Sequence, residues 1–93
     1  MRNVTSSQHR PVEIVVVRSP ACHLCEDAIE ALDEMRARSS LDVRLVEMES
    51  EEGRDIVARH RPALFPAVLV EDRLFSSGRL PRRKLERILA RGG

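Results

Sequence analysis

The sequence predicts an α/β domain built on a four-stranded mixed sheet with helices on both faces. Three observations lead to this prediction. β-branched apolar runs alternate with amphipathic stretches, prolines and serines separate the runs, and 93 residues are enough for one domain only. The predicted order of elements is β-α-β-α-β-β-α. The first two strands must then be parallel and joined by a right-handed crossover, whereas the last two form an antiparallel hairpin.

The first strand and the first helix meet at a proline. The run Val12–Val17 is almost wholly apolar, which is typical of a central strand covered on both faces. Ser19-Pro20 ends it because proline can continue neither a strand ladder nor a helix. A helix is expected from Cys22 or His23 to about Arg38. Its apolar face has helical spacing and consists of Cys25, Ala28, Ile29, Leu32 and Met35.

The remaining elements are predicted from capping residues, prolines and apolar runs. They are, in order, a strand over Val43–Met48, a helix capped by Ser50 that ends before Pro62, a strand over Ala67–Val70, a turn at Asp72-Arg73, a strand over Leu74–Ser76, and a helix opened by Pro81 with Gly92 past its end. The inner faces of the two helices are predicted to carry Ile56 and Val57, and Leu85, Ile88 and Leu89.

Residues 1–11 are predicted to be a flexible polar tail, and the domain is predicted to span residues 12–91. The tail carries Arg2 but no apolar segment behind it, unlike a secretory signal peptide. No apolar run approaches the roughly 20 residues that cross a bilayer. These observations predict a cytoplasmic protein without a membrane partner.

The charges are balanced overall but unevenly distributed. The net charge is +1, and the chain has no Trp, no Tyr and two Phe, which argues against nucleic-acid binding by field or by stacking. Acidic residues follow the cysteines, and basic residues are concentrated near the C-terminus. Both sets are explained by solvated helix faces, or the basic set forms a docking face. The acidic set is Glu26, Asp27, Glu30, Asp33 and Glu34, and the basic set is Arg79, Arg82, Arg83, Lys84, Arg87 and Arg91.

The chain has two cysteines, Cys22 and Cys25, at the junction of the first strand and the first helix. They are too close in sequence to staple distant segments, so a structural disulfide framework is excluded. A helix N-terminus stabilises an anion and can lower the pKa of a cysteine well below about 8.5. We therefore expect Cys22 to be the nucleophile. Cys25, one turn further on the apolar face, is expected to be more buried and to resolve the mixed disulfide.

Charged neighbours could adjust the reactivity of the pair. His23 and Arg18 are candidates for stabilising the Cys22 thiolate, because one can be cationic near neutral pH and the other is always so. Glu26 and Asp27 act in the opposite direction. The alternative is that His23 is an exposed residue without a role. The sequence does not decide whether these charges together stabilise or destabilise the Cys22 thiolate.

The cysteine pair has two other interpretations. An inert buried pair is one of them. Half of a zinc site is the other, but zinc takes four ligands, and beyond the pair the chain offers only His9, His23 and His60. A CxxC pair that follows a strand in a βαβ pattern favours redox chemistry, so no metal is predicted.

The CxxC pair, the order of elements and Phe65-Pro66 at the start of the third strand resemble the thioredoxin superfamily, most closely its small glutaredoxin-like members. The resemblance covers residues 12–90 and implies a thioredoxin-like fold with dithiol–disulfide oxidoreductase and electron-transport activity. In that family a cis-proline starts the third strand beside the cysteines, and the residue before it pairs by its backbone with the bound thiol substrate. The resemblance implies these roles for Pro66 and Phe65.

The chain departs from both well-known branches of that superfamily. Thioredoxins usually have Trp before the first cysteine and Gly-Pro between the two, where this chain has Ala21 and His23-Leu24. Classical glutaredoxins have Pro-Tyr between the cysteines and a glycine pair after the fourth strand. Where glutaredoxins have the glycine pair, this chain has Ser77-Gly78, with one matching glycine. The resemblance implies that Ser77 and Gly78 contact the substrate. Glutathione is accordingly a candidate reductant.

The sequence thus predicts a monomeric thiol–disulfide oxidoreductase that acts on protein or small-molecule thiols and disulfides and requires no cofactor. The alternative is a redox-sensing binding module, in which the state of Cys22–Cys25 gates a partner docked on the basic C-terminal helix. A third, weaker interpretation is an iron–sulfur or metal carrier that uses Cys22 from two chains.

Overall fold

The structure, a computed structural model, describes residues 11–92 and contains the seven predicted elements in the predicted order. The strands are β1 (Val12–Arg18), β2 (Leu41–Glu47), β3 (Ala67–Val70) and β4 (Arg73–Ser77). The helices are α1 (His23–Met35), α2 (Glu51–His60) and α3 (Arg82–Gly92). The predicted tail lies outside the described residues apart from Pro11, and the domain limits stay a prediction.

The strands form one mixed sheet in the order β2-β1-β3-β4. β1 is parallel to β2 and antiparallel to β3, and β3 and β4 form an antiparallel hairpin. The predicted sheet is therefore confirmed. β1 is a central strand, and its Ile14, Val16 and Val17 are completely buried. This explains why its sequence is apolar at consecutive positions rather than at alternate ones.

Helices cover both faces of the sheet, as predicted. Because successive side chains of a strand point to opposite faces, Ile14 and Val16 belong to one core and Val17 to the other. The first core contains residues of α1 and α3, and the second contains Ile56 of α2. The helix that begins next to the cysteines therefore shares a face of the sheet with the basic C-terminal helix.

The end of α1 differs from the prediction. The helix ends at Met35 rather than near Arg38, and a tighter turn follows it. In that turn the N–H groups of Ala37 and Arg38 donate to carbonyls three residues back, at 3.3 and 3.0 Å. Such bonds satisfy some of the last carbonyls of a helix without continuing it. On the inner side of α1, Ala31 is buried and Ile29 is only half-buried. The buried face is therefore rotated slightly about the helix axis relative to the predicted one.

The hairpin turn and some boundaries also differ from the prediction. The turn consists of Glu71 and Asp72 rather than Asp72 and Arg73, and Arg73 is already paired with Val70. Both turn residues have positive φ, 50° and 68°, as in the two-residue turns that match the twist of a hairpin. β2 begins earlier than expected because it pairs with β1 from Leu41 onward. Gly92 lies within α3, not beyond it.

The start of α2 is held closely against the end of β2. Ser50 caps the helix, as predicted: its Oγ accepts the N–H of Gly53 at 3.0 Å and donates to the carbonyl of Glu47 at 2.7 Å. Gly53 is buried, and a Cβ atom there would collide with the Glu47 carbonyl oxygen and lie 2.9 Å from the Met48 carbonyl carbon. The approach of α2 to β2 therefore depends on glycine.

We expect Gly53→Ala to destabilise the protein by about 1–3 kcal/mol, the usual cost of forcing extra atoms into a packed site. Helix propensity alone predicts the opposite sign, since alanine is favoured over glycine by about 1 kcal/mol in a helix. Urea unfolding monitored by circular dichroism measures the difference. Arg54→Ala, at the next and exposed position, is the matched control and should stay within about 0.5 kcal/mol. An unchanged or higher midpoint for Gly53→Ala would contradict the close approach.

Candidate active site

The two cysteines form a disulfide at the N-terminus of α1, with their Cα atoms 5.2 Å apart. Cys22 is the N-cap residue, and its backbone is extended (φ −110°, ψ 107°). Its Sγ accepts the backbone N–H of Cys25 at 3.1 Å. The sulfur therefore occupies the position at which a capping oxygen normally satisfies a free helix donor. In the reduced protein a negative charge on this sulfur would face that N–H and the positive end of the helix dipole.

The chain reaches this position through a short turn after β1. Pro20 and Ala21 form the turn, and Ala21 has a left-handed φ of 51°. L-residues avoid this region at a cost of about 1 kcal/mol, and backbone strain of this kind is concentrated at functional sites. The helical hydrogen bonds then begin at once, with the N–H of Glu26 donating to the carbonyl of Cys22 at 3.2 Å.

The two sulfurs differ in access, as the sequence predicted. Cys22 is half-buried, whereas Cys25 is only 1% exposed and lies on the buried face of α1. An incoming disulfide can therefore meet Cys22 from solvent, while Cys25 is reached through Cys22. This difference in burial is confirmed; the catalytic roles attached to it stay predictions.

The segment before β3 lies beside Cys22. The Phe65–Pro66 peptide bond is cis, which confirms the isomer expected from the resemblance, and Pro66 is fully buried. The carbonyl oxygen of Phe65 lies 3.9 Å from Cys22 Sγ. β3 pairs with β1 only from Ala67 onward. Phe65, which is half-buried, therefore lies before the paired part of β3. The structure thus brings together Cys22, Phe65 and Pro66.

The end of β4 supports this segment from the other side. Gly78 is buried, and its N–H donates to the carbonyl of Pro66 at 2.9 Å. Its φ of 94° favours glycine, and a Cβ there would lie 3.1 Å from Leu64 Cδ1. Ser77 pairs with Ala67 of β3. Both predicted residues are therefore next to Pro66, but the Gly78 N–H is directed at the protein's own backbone.

No role was predicted from the sequence for Leu64, which is 59% exposed and directly precedes Phe65. Its position in the sequence, directly before Phe65-Pro66 and outside any predicted strand or helix, could have indicated it.

Arg18 does not act as an isolated cation near Cys22. Its Nε donates to Glu47 Oε2 at 2.7 Å, and the two residues are register partners at the ends of β1 and β2. Both line a small cavity of about 220 Å³, together with the two cysteines, Glu26 and the turn before Cys22. Glu47 was not expected from the sequence, although two parallel strands that end at the same edge of a sheet could have indicated it. His23 is exposed at the first residue of α1.

Another, larger cavity lies between α1 and the start of α3. We call it the α1–α3 groove. Its volume is about 630 Å³. Its lining comprises Leu24, Asp27, Ala28, Ala31, Arg79, Leu80, Pro81, Arg82, Arg83 and Lys84. Leu24, which stands between the two cysteines in sequence, lines the end of this groove nearest to them, whereas the cysteines themselves line the smaller cavity.

Two further features of the described part of the chain bear on its chemistry. Between residues 11 and 92, no three His, Cys, Asp or Glu side chains are grouped as a metal ion would require; His9 lies outside this range. No helix in the same range has the length and apolar character needed to cross a bilayer.

Comparison with known proteins identifies the fold. A Nitrosomonas europaea protein solved by NMR has a TM-score of 0.69 at 20% identity, covering 86% of this chain and 93% of that one. An uncharacterised thioredoxin-like protein from Clostridium perfringens has a TM-score of 0.70 at 15% identity, with coverages of 100% and 79%. Thioredoxin from Fasciola hepatica has a TM-score of 0.59 at 14% identity, with coverages of 98% and 89%.

No protein-family model matches the chain, and no curated protein sequence does. The structural neighbours include thioredoxin-like proteins, and the chain has their mixed four-stranded sheet together with a CxxC disulfide. The thioredoxin-like fold implied by the resemblance is therefore confirmed.

After reduction, we expect iodoacetamide to modify Cys22 at least about 10-fold faster than Cys25, because alkylation requires an accessible thiolate. Peptide mass spectrometry over a time course of modification measures both rates. In concentrated urea the two rates should converge to within about twofold, which controls for local sequence effects. Faster modification of Cys25 in the folded protein would contradict the difference in burial.

Proposed function

We propose that the protein is a thiol–disulfide oxidoreductase that cycles Cys22 and Cys25 between dithiol and disulfide. The observation that carries the proposal is the half-buried Cys22 sulfur, which caps α1, accepts the Cys25 N–H and is bonded to a buried partner. A disulfide that closes a single helical turn constrains the unfolded chain very little. Reversible chemistry therefore explains the pair better than stabilisation does.

In the first step, the Cys22 thiolate attacks one sulfur of a substrate disulfide. The substrate S–S bond breaks, a Cys22–substrate mixed disulfide forms, and the first substrate thiolate leaves and takes a proton from solvent. The Cys25 N–H and the positive end of α1 lower the free energy of the negative charge on Cys22. The same groups favour Cys22 as the sulfur that attacks.

In the second step, Cys25 gives its proton to solvent and its thiolate attacks Cys22 Sγ. The mixed disulfide breaks, the second substrate thiolate leaves and is protonated, and the Cys22–Cys25 disulfide forms. The substrate gains two electrons and the protein loses two. A thiol reductant then restores the dithiol, and glutathione is a candidate for it. The exchange itself uses only sulfur, so we propose no required cofactor.

The neighbouring residues are proposed to align the substrate and adjust the thiolate. The backbone of Phe65, which precedes the β3 ladder and faces Cys22, would pair with an extended substrate beside Pro66. Ser77 and Gly78 stay candidate substrate contacts, and the bond from Gly78 to Pro66 supports them as part of the same surface. His23 and Arg18 stay candidates for stabilising the thiolate, the second with its charge shared by Glu47.

We further propose that the protein belongs to the glutaredoxin-like dithiol class and works as a cytoplasmic monomer on protein or small-molecule thiols. The short β-α-β-α-β-β-α order and the Ser77-Gly78 pair at the end of β4 support this class. Reduction of a glutathione mixed disulfide is the assay that distinguishes it from other dithiol classes.

A redox-sensing binding module is the second candidate function. The basic residues of α3 that line the groove next to Leu24 favour it. Turnover discriminates between the two candidates, since a sensor is oxidised once and does not cycle rapidly.

The role assignment predicts opposite results for the two cysteine variants. Cys25→Ser should accumulate a mixed disulfide with a peptide disulfide substrate, because no second thiol can release it. Cys22→Ser should form none and should lose at least about 100-fold in the rate of disulfide reduction, because the accessible nucleophile is missing. Non-reducing electrophoresis and mass spectrometry detect the adduct.

Each cysteine variant is the matched control for the other, since both replace one sulfur by oxygen at the same helix terminus. An adduct on Cys22→Ser but not on Cys25→Ser would reverse the roles. Unchanged turnover in both variants would reject the oxidoreductase proposal.

A further inference from the structure

We propose that the α1–α3 groove binds an acidic stretch of the polypeptide whose disulfide is exchanged, next to that polypeptide's reacting cysteine. This inference rests on the proposed function and names the substrate class of the same site. It is carried by the position of the groove, by the charge of its walls and by its apolar floor.

The groove begins at Leu24, which lies between the two cysteines in sequence, and continues along α1. Half-buried Leu24 lines it at one end and Ala31 further along. The two residues are seven positions apart in one helix, which corresponds to about 10 Å at 1.5 Å per residue. An extended peptide advances about 3.3 Å per residue. About three substrate residues next to the cysteine bonded to Cys22 would therefore lie in the groove.

The walls carry an excess of positive charge. Four of the lining residues are basic, and only Asp27 is acidic. Arg82 pairs with Glu34 at 3.2 Å, so its charge is partly compensated. Within residues 11–92, Arg79 and Arg83 make no ion pair and are exposed. Carboxylates entering the groove would meet cations that the protein has not already paired.

The floor of the groove suits a peptide rather than an isolated ion. Ala28 and Ala31 are small and buried, and Leu80 is 6% exposed. Together with Pro81 they form an apolar floor beneath the basic rim. The volume of about 630 Å³ lies within the roughly 300–1,000 Å³ typical of specific ligand sites. An apolar floor with a charged rim fits a short segment that combines a backbone, aliphatic groups and carboxylates.

The side of the cysteine pair that shares a cavity with Arg18 and Glu47 would not attract the same segment. In the cavity of about 220 Å³ the charge of Arg18 is matched by Glu47, and Glu26 adds a further carboxylate. That side is neutral to acidic, so an acidic segment would be directed towards α3. Charges outside a reacting centre act mainly on the rate of encounter and on orientation, and salt screens them.

The test compares peptide disulfides that differ only in the three residues next to the cysteine. Three glutamates are compared with three glutamines, placed after the cysteine in one pair of peptides and before it in another. At low ionic strength the wild type should reduce at least one of the two glutamate peptides with about 5- to 10-fold higher kcat/KM than its glutamine counterpart. This preference should largely disappear at about 0.5 M salt.

The variant Arg79→Gln/Arg83→Gln should lose the preference, with kcat/KM for the glutamate peptide lowered about 5- to 10-fold and that for the glutamine peptide within about twofold. The matched control is Arg87→Gln/Arg91→Gln, which removes two exposed charges from α3, the helix that contains Arg83, but outside the groove lining. It should change either value by less than about twofold.

The outcomes separate this inference from the proposed function. Turnover of the glutamine peptides without any glutamate preference overturns the groove proposal and leaves the oxidoreductase intact. Equal losses in the groove variant and the control variant also overturn it, because the effect would then come from the overall positive charge of the C-terminal region. An equal loss with oxidised glutathione overturns it in favour of small anionic disulfides. Turnover of oxidised glutathione but of no peptide overturns this inference alone, whereas absence of turnover with every peptide and with oxidised glutathione rejects the proposed function as well.

Discussion

The hydrogen bond from the Cys25 N–H to the Cys22 sulfur links the fold of this protein to its proposed chemistry. An N-cap acceptor stabilises a helix, and here the acceptor atom is also the candidate nucleophile. The sulfur that caps the N-terminus of α1 is therefore the atom whose charge and bonding would change during exchange. Charged acceptors form stronger hydrogen bonds than neutral ones, so the thiolate would be the better cap. The helix start and the reactivity of Cys22 depend on one contact.

The central position of β1 brings the other parts of the site to this contact. β1 runs antiparallel to β3, and Val17 is paired with Ala67. Residues that precede Ala67 must then lie beside residues that follow Val17, which is where the chain turns towards Cys22. Phe65 and Pro66 reach the sulfur for this reason, although they are more than forty positions away in sequence. The parallel partner β2 ends at the same edge of the sheet and supplies Glu47 to Arg18.

Local physical chemistry explains what could be predicted from the sequence. The order of elements follows from the periodicity of apolar residues, and the cap at Ser50 from the oxygen that a helix start requires. The placement of Cys22 at a strand–helix junction, and the deeper burial of Cys25, follow from the same periodicity. Each of these features depends on residues within about one or two turns of the chain. The cis bond before Pro66 was expected from the family resemblance rather than from such local physics.

The sequence by itself therefore determined the elements, their order and the position of the cysteine pair, and the tertiary structure decided what surrounds that pair. Apolar periodicity states which face of an element is buried but not which element covers it. The pairing of Arg18 with Glu47 depends on strand register, and the groove that brings Leu24 next to Arg79 and Arg83 depends on α1 and α3 packing on one face of the sheet. Contacts between residues far apart in sequence, which local patterns do not encode, thus produce a neutral and a basic side of the candidate active site.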